Sequence, residues 1–240
     1  MKPGSWTAGL AACTAVLVFA VFSPHAGGQE KPRKSSAAAS GKASAAAGGT
    51  AAAAKAAPPK TDYAQRFAAV CAACHGANGR SDMPLTPVLA GQPSLYAITQ
   101  LYLFREGRRN NEAMTAVAKA MTDDDMRGFA DYIGTLPAVP APPASTPPDA
   151  ARMAKGKALA DQHRCSSCHG ADLSGGQQVP RIGGQKEDYL QASLRGFKSG
   201  TRAAYTQAMV SAVSQVPPED LETLAYYAAR ISAPAASTGK

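Results

Sequence analysis

A five-residue phrase, Cys-x-x-Cys-His, occurs twice in this chain, as Cys71–His75 and ninety-four residues later as Cys165–His169, each time followed by Gly-Ala. The repetition runs well beyond the phrase. At a constant offset of 93 residues, Gly91 matches Gly184, Gln92 matches Gln185, Tyr96 matches Tyr189, Phe104 matches Phe197 and Arg109 matches Arg202. Pro87 and Pro180 match as well, each four residues before the paired glycine. After a two-residue insertion, Met114 pairs with Met209, Asp125 with Asp220 and Tyr132 with Tyr227. Self-similarity of this length marks one structural unit used twice. With aromatics at only 6%, two small domains that need extra stabilisation are favoured over one large core.

Each copy reads as helical, with no convincing alternating strand. A short amphipathic helix leads into the first cysteine. A second helix begins near Ser94 or Lys186 and stops at Gly107 or Gly200. A third starts at "TDDDM" or "PPEDL", where Thr122 suits an N-cap, Pro217 or Pro218 suits a first turn, and acidic side chains favour the helix dipole. The expected fold class is all-α: two tandem domains over residues 61–136 and 150–233, joined by a Pro-rich linker at 137–149, with a disordered C-terminus at 234–240. Proline favours extended backbone, so the linker reads as stiff.

Residues 1–28 read as a secretory signal: Lys2, then the apolar run Gly9–Phe22, then small residues suited to cleavage after Ala26 or Gly28. The alternative is an uncleaved membrane anchor. Residues 29–60 contain 13 alanines and no Val, Ile, Leu, Met or aromatic residue. Such a segment cannot bury enough surface to offset its ordering entropy, and is expected to be a disordered tether. Seven basic residues against Glu30 place +6 of the formal +8 charge in the first 60 residues. The basic balance therefore belongs to this segment and is no nucleic-acid signature.

The chemistry lies in the duplicated phrase. Two thiols three residues apart on one helical turn can bond the two vinyl groups on a haem edge, and the histidine after the second cysteine then lies under the porphyrin plane. That order is the c-type haem attachment signal. It assigns Cys71, Cys74, Cys165 and Cys168 as thioether positions, and His75 and His169 as proximal iron ligands. A shared zinc site would leave a histidine in both copies unexplained. A thioredoxin-like dithiol wants a βαβ setting, which is missing. Disulfides within the pairs would close only tiny loops.

The second axial ligand follows by elimination. Of four histidines, two are proximal, His25 lies in the signal, and His163 precedes Cys165 by two residues, where it reads as a surface residue on the wrong side of the haem. Methionine is the usual alternative, a thioether that raises the haem potential. Met209 is the only methionine downstream of His169. The first copy offers Met83, Met114, Met121 and Met126. The repeat selects Met114, since Met114 and Met209 each precede their matched aspartate by eleven residues. Met121 and Met126 read as packing. Pro87 and Pro180 read either as carbonyl partners of the proximal imidazoles or as turn prolines. Arg109 and Arg202 read either as haem propionate partners or as solvated helix ends.

These residues resemble the dihaem cytochromes c of the cytochrome c4 family. The resemblance is carried by "CAACHGANG", "LAGQ", "QLYLFREGRR" and "MTAVAKAMTDDDMRGFADYI" with their second-copy partners, and covers about residues 62–232. It implies two class I cytochrome c folds, two covalently attached haem c groups, His–Met iron at both sites and periplasmic electron transfer. The long tail and "QVPPEDL" depart from the family pattern. The expected function is therefore a one-electron carrier between redox protein partners such as a respiratory complex, a terminal oxidase or a dehydrogenase, with membrane association through the N-terminal segment as an added expectation. A second reading makes it the cytochrome subunit of a periplasmic dehydrogenase. A dihaem peroxidase would need an openable iron position, which two matched methionines and no spare distal histidine disfavour.

Overall fold

The computed structural model describes residues 61–139, 147–202 and 207–231. The expectations for the signal, the tether, the middle of the linker and the extreme C-terminus fall outside these residues. The described chain is helical, and its only strand-like pairing is an isolated bridge between Gly176 and Val179. No described helix is long and apolar enough to cross a membrane.

The N-terminal domain contains α1 (Tyr63–Val70), α2 (Ala72–His75), α3 (Ser94–Arg105), α4 (Glu112–Lys119) and α5 (Asp123–Thr135). The C-terminal domain repeats the order as α6 (Ala150–Gln162), α7 (Ser166–His169), α8 (Glu187–Ser199), α9 (Gln207–Ser214) and α10 (Pro218–Arg230). The helix starts have local causes. Asp62 accepts from the backbone N–H groups of Ala64 and Gln65 at the head of α1. At α5, Thr122 and Asp125 form a capping box, each side chain accepting from the other's backbone N–H at 3.1 Å. At α10, Pro218 occupies the first turn, where its missing N–H leaves no intrahelical bond unmade.

In each domain the second long helix packs on the last one, α3 on α5 and α8 on α10, with α6 also against α10. The core of the first domain is built on Phe67, Leu101, Met121, Met126, Phe129 and Ile133. The second uses Leu159, Val213, Val216, Leu221 and Leu224, with a smaller cluster of Leu173, Leu190, Ala225 and Ala228. Cys71 and Ala72 pack against the first core and Cys165 against the second, which sets the start of the short α2 and α7.

Candidate haem sites

The lead helix of the first domain stops at the first cysteine, its C-cap, whereas that of the second ends at Gln162 and a turn through His163 and Arg164 leads into Cys165. The Cys71 N–H still closes a helical bond to Phe67 at 2.8 Å, and Cys71 then starts α2 by accepting from the His75 N–H at 2.9 Å. In the second domain the His169 N–H reaches Cys165 in the same way at 3.1 Å. The four cysteines of the two motifs are free thiols, and in each pair the first is half-buried and the second exposed. Burial pushes the Cys71 thiol up to about 11, only partly opposed by Arg66, and burial raises Cys165 likewise.

The two imidazoles are enclosed, with His75 6% and His169 5% exposed. Burial lowers both pKa values, which keeps the rings neutral as iron ligation requires; the proline carbonyls oppose the shift only in part. Nδ1–H of His75 donates to the Pro87 carbonyl at 3.1 Å, and that of His169 to the Pro180 carbonyl at 2.9 Å. Of the two functions open to these prolines, the structure shows the carbonyl partner. Once Nδ1 carries the proton, Nε2 is the ring atom with a free lone pair.

The methionines separate by environment. Met121 and Met126 are core residues, 8% and 4% exposed, and Met83 is 47% exposed. Met114 lies on α4, half-buried against the first core, and the Asn111 N-cap accepts from its backbone N–H at 2.9 Å. Met209 lies on α9, half-buried against the second core. These two helices are absent from the sequence expectation. The local signal for α4 is the Asn111 cap followed by Glu112 in the first turn.

His163 departs from expectation, and one of the two readings of Arg109 and Arg202 falls away. Arg109 and Arg202 are not solvated helix ends. Arg109 donates to Gln100 at 2.7 Å and to the Tyr189 hydroxyl of the other domain at 2.8 Å. Arg202 donates to Ser193 and reaches the Tyr96 and Tyr189 hydroxyls at 3.4 Å. Burial pushes the Tyr189 hydroxyl up, but the Arg202 and Arg109 guanidiniums outweigh it and hold its pKa below the ordinary tyrosine value. His163 is half-buried rather than at the surface, with Nε2 enclosed and unpartnered.

The donor set fits haem c in both domains. Each offers two free thiols at the right spacing, a neutral imidazole with Nδ1 already engaged, and a half-buried thioether on a separate helix. Arg181 adds a buried cation. It is 4% exposed, its Nη1 donates to the carbonyls of Ala90 (3.4 Å) and Val139 (3.1 Å), and its Nε and Nη2 have no partner. A haem carboxylate is the kind of acceptor such a group wants.

Two helical domains, each presenting a thiol pair and a buried imidazole backed by a proline carbonyl, define a c-type cytochrome with two haem domains. The chain belongs to the cytochrome c family, whose model matches residues 62–137 and 153–227. Within that family it is a dihaem cytochrome c4-like protein carrying two covalently bound haem c groups. It is 33% identical over 169 residues to a cytochrome c4 of Thiocapsa roseopersicina, covering 66% of this chain and 85% of that one. It is 32% identical over 175 residues to a thiosulfate dehydrogenase electron acceptor of Stutzerimonas stutzeri, covering 68% and 80%. The crystal structure of reduced cytochrome c4 from Pseudomonas stutzeri superposes with a TM-score of 0.63 at 27% identity, over 70% of this chain and 97% of that one.

Proposed function

We propose that the chain is a periplasmic electron carrier in which His75 and Met114 hold one iron, and His169 and Met209 the other. Cys71, Cys74, Cys165 and Cys168 form the thioethers. The haem domains span residues 61–136 and 150–233, with the linker at 137–149. Residues 1–28 direct export, and residues 29–60 form a tether. The observation that carries this reading is the matched pair of contacts from His75 to Pro87 and from His169 to Pro180. Each orients a neutral imidazole for ligation on an element rigidly tied to the core.

Haem c supplies a one-electron ferric/ferrous couple. The protein shields it, orients its ligands and sets its potential. A histidine and a methionine on each iron leave no position for substrate, which favours electron transfer over catalysis. The thioether of methionine favours the ferrous state and so raises the potential. Met114→Ala and Met209→Ala should each remove about half of the ferric Met–iron charge-transfer absorption. Undiminished absorption in either variant would exclude that methionine. Intact mass with haem staining checks the haem number and the true N-terminus together.

A second reading is supported by the relative described as a thiosulfate dehydrogenase electron acceptor. Here the chain serves one dehydrogenase as its dedicated acceptor. Co-purification of a catalytic subunit with the native protein would favour this reading, and a monomeric native protein the free carrier.

A further inference from the structure

Each proximal segment is gripped from the opposite domain. The Pro87 carbonyl accepts from Nδ1–H of His75 at 3.1 Å. The N–H of the same peptide group, that of Val88, donates to Oε1 of Gln185 at 2.8 Å. Nε2 of Gln185 in turn donates to the Val88 carbonyl at 2.9 Å. The mirror arrangement holds the other site. The Pro180 carbonyl accepts from His169 at 2.9 Å, the Arg181 N–H donates to Oε1 of Gln92 at 3.2 Å, and Nε2 of Gln92 donates to the Arg181 carbonyl at 2.8 Å. Gln92 and Gln185 are 6% and 4% exposed, so water does not compete for these bonds.

One peptide group is thus polarised at both ends. Hydrogen bonds in such a chain strengthen one another, most of all where the surroundings are of low dielectric. A peptide whose N–H is engaged is a better acceptor at its oxygen. A better acceptor draws harder on the imidazole N–H and raises the donor strength of Nε2. A more basic imidazole stabilises ferric over ferrous iron and lowers the potential. The glutamine sits on the far side of the domain boundary from the histidine it acts on.

We propose that Gln185 and Gln92 are crossed positioning residues: Gln185 tunes the haem held by His75, and Gln92 tunes the haem held by His169. The proposal rests on the reading that these histidines are the proximal ligands.

The test uses the full haem-loaded chain, with the potential of each haem resolved by redox titration. The haems are assigned by NMR from the hyperfine-shifted ligand resonances. Gln185→Leu removes the acceptor for the Val88 N–H and should raise the potential of the His75 haem more than that of the other. Gln92→Leu should do the reverse. Gln185→Glu keeps an acceptor oxygen at that N–H and should leave the His75 haem at or below its parent potential, which also covers a leucine variant that fails to assemble. Equal shifts of both haems, uncrossed shifts, no shift, or a raised potential in the glutamate variant would each overturn the tuning. Ring resonances of His75 or His169 without hyperfine shift in the ferric parent protein would overturn the ligation and the tuning together. Shifted rings with uncrossed potentials would overturn the tuning alone.

Discussion

In the N-terminal domain the first and last helices meet through aromatic rings: Tyr63 stands edge-on to Phe129 at 5.2 Å, and Phe67 lies against Tyr132 at 5.1 Å. In the C-terminal domain the same helix pair meets through Leu159, Leu221 and Leu224. The close approach is also made from opposite sides. Tyr63 of α1 covers Gly128 of α5, where an added Cβ would lie 2.0 Å from the ring. In the second domain the glycine is Gly156 on α6 and the facing residue is Tyr227 on α10, whose Cβ would lie 2.4 Å from an added one. The helix pair sets one tyrosine against one glycine, and either helix can supply either. Among the residues that orient the imidazoles there is no such freedom. The histidine, the proline carbonyl, the half-buried methionine and the clasping glutamine occur residue for residue in both domains. Packing tolerates exchange because it depends on shape and area. Ligand orientation depends on a few directed bonds and does not.

The sharpest way to break the comparison is Phe67→Ala. Phe67 is fully buried, so the variant should lose about 3–5 kcal/mol in denaturant unfolding, confined to the first domain. An equal loss in the second would show one shared core. Overpacking comes next. Gly128→Ala and Gly156→Ala should each cost about 1–3 kcal/mol, and Tyr63→Leu should relieve the first but not the second. A neutral Gly156→Ala would show that Tyr227 gives way where Tyr63 does not.

A smaller effect separates Val88 from Arg181, which occupy equivalent positions. Burial lowers the pKa of Arg181, with Asp172 opposing, yet the group keeps Nη1 bonded to two carbonyls. A buried cation disfavours ferric iron, so Arg181→Met should lower the potential of the nearer haem in a redox titration. A raised potential would remove Arg181 from the electrostatics of that site. The smallest effect concerns the matched aspartates. Asp125 pairs with Arg66, accepts from the Thr122 N–H and meets the Tyr63 hydroxyl at 3.3 Å, whereas Asp220 pairs with Lys155 at 2.8 Å. The bond from Arg66, with help from Thr122, holds the Asp125 carboxyl far below the usual aspartate value of 3.8. A depressed folded pKa contributes stability above the unfolded value, and that stability is lost as pH falls through the folded one. Asp125→Asn should therefore lower the thermal midpoint more than Asp220→Asn does above pH 3.8, with the gap closing in stronger acid.

Much of this was legible in order and spacing alone. The Thr122 cap, the second and third helices of each copy, and the core burial of Met121 and Met126 all agree with what the residues imply. The helices carrying Met114 and Met209 were not legible: each is eight residues long, and neither has a motif such as Cys-x-x-Cys-His beside it to mark its end. His163 was misplaced because the burial of its ring is set by tertiary packing, which distance along the sequence does not report. Arg109 and Arg202 were read one copy at a time, as propionate partners or solvated helix ends, when both turn toward the facing domain and meet at Tyr189.

The sequence by itself determined the cofactor and its attachment, because two thiols and an imidazole within five residues are brought together by one helical turn. It also singled out two methionines, because duplication makes each copy a control for the other. Only the tertiary structure decided that Gln185 reaches Val88 and Gln92 reaches Arg181. Those partners lie 97 and 89 residues apart, and no local pattern encodes which buried amide will face which peptide group. That depends on which surfaces of two folded domains come into register, a property of the packed whole.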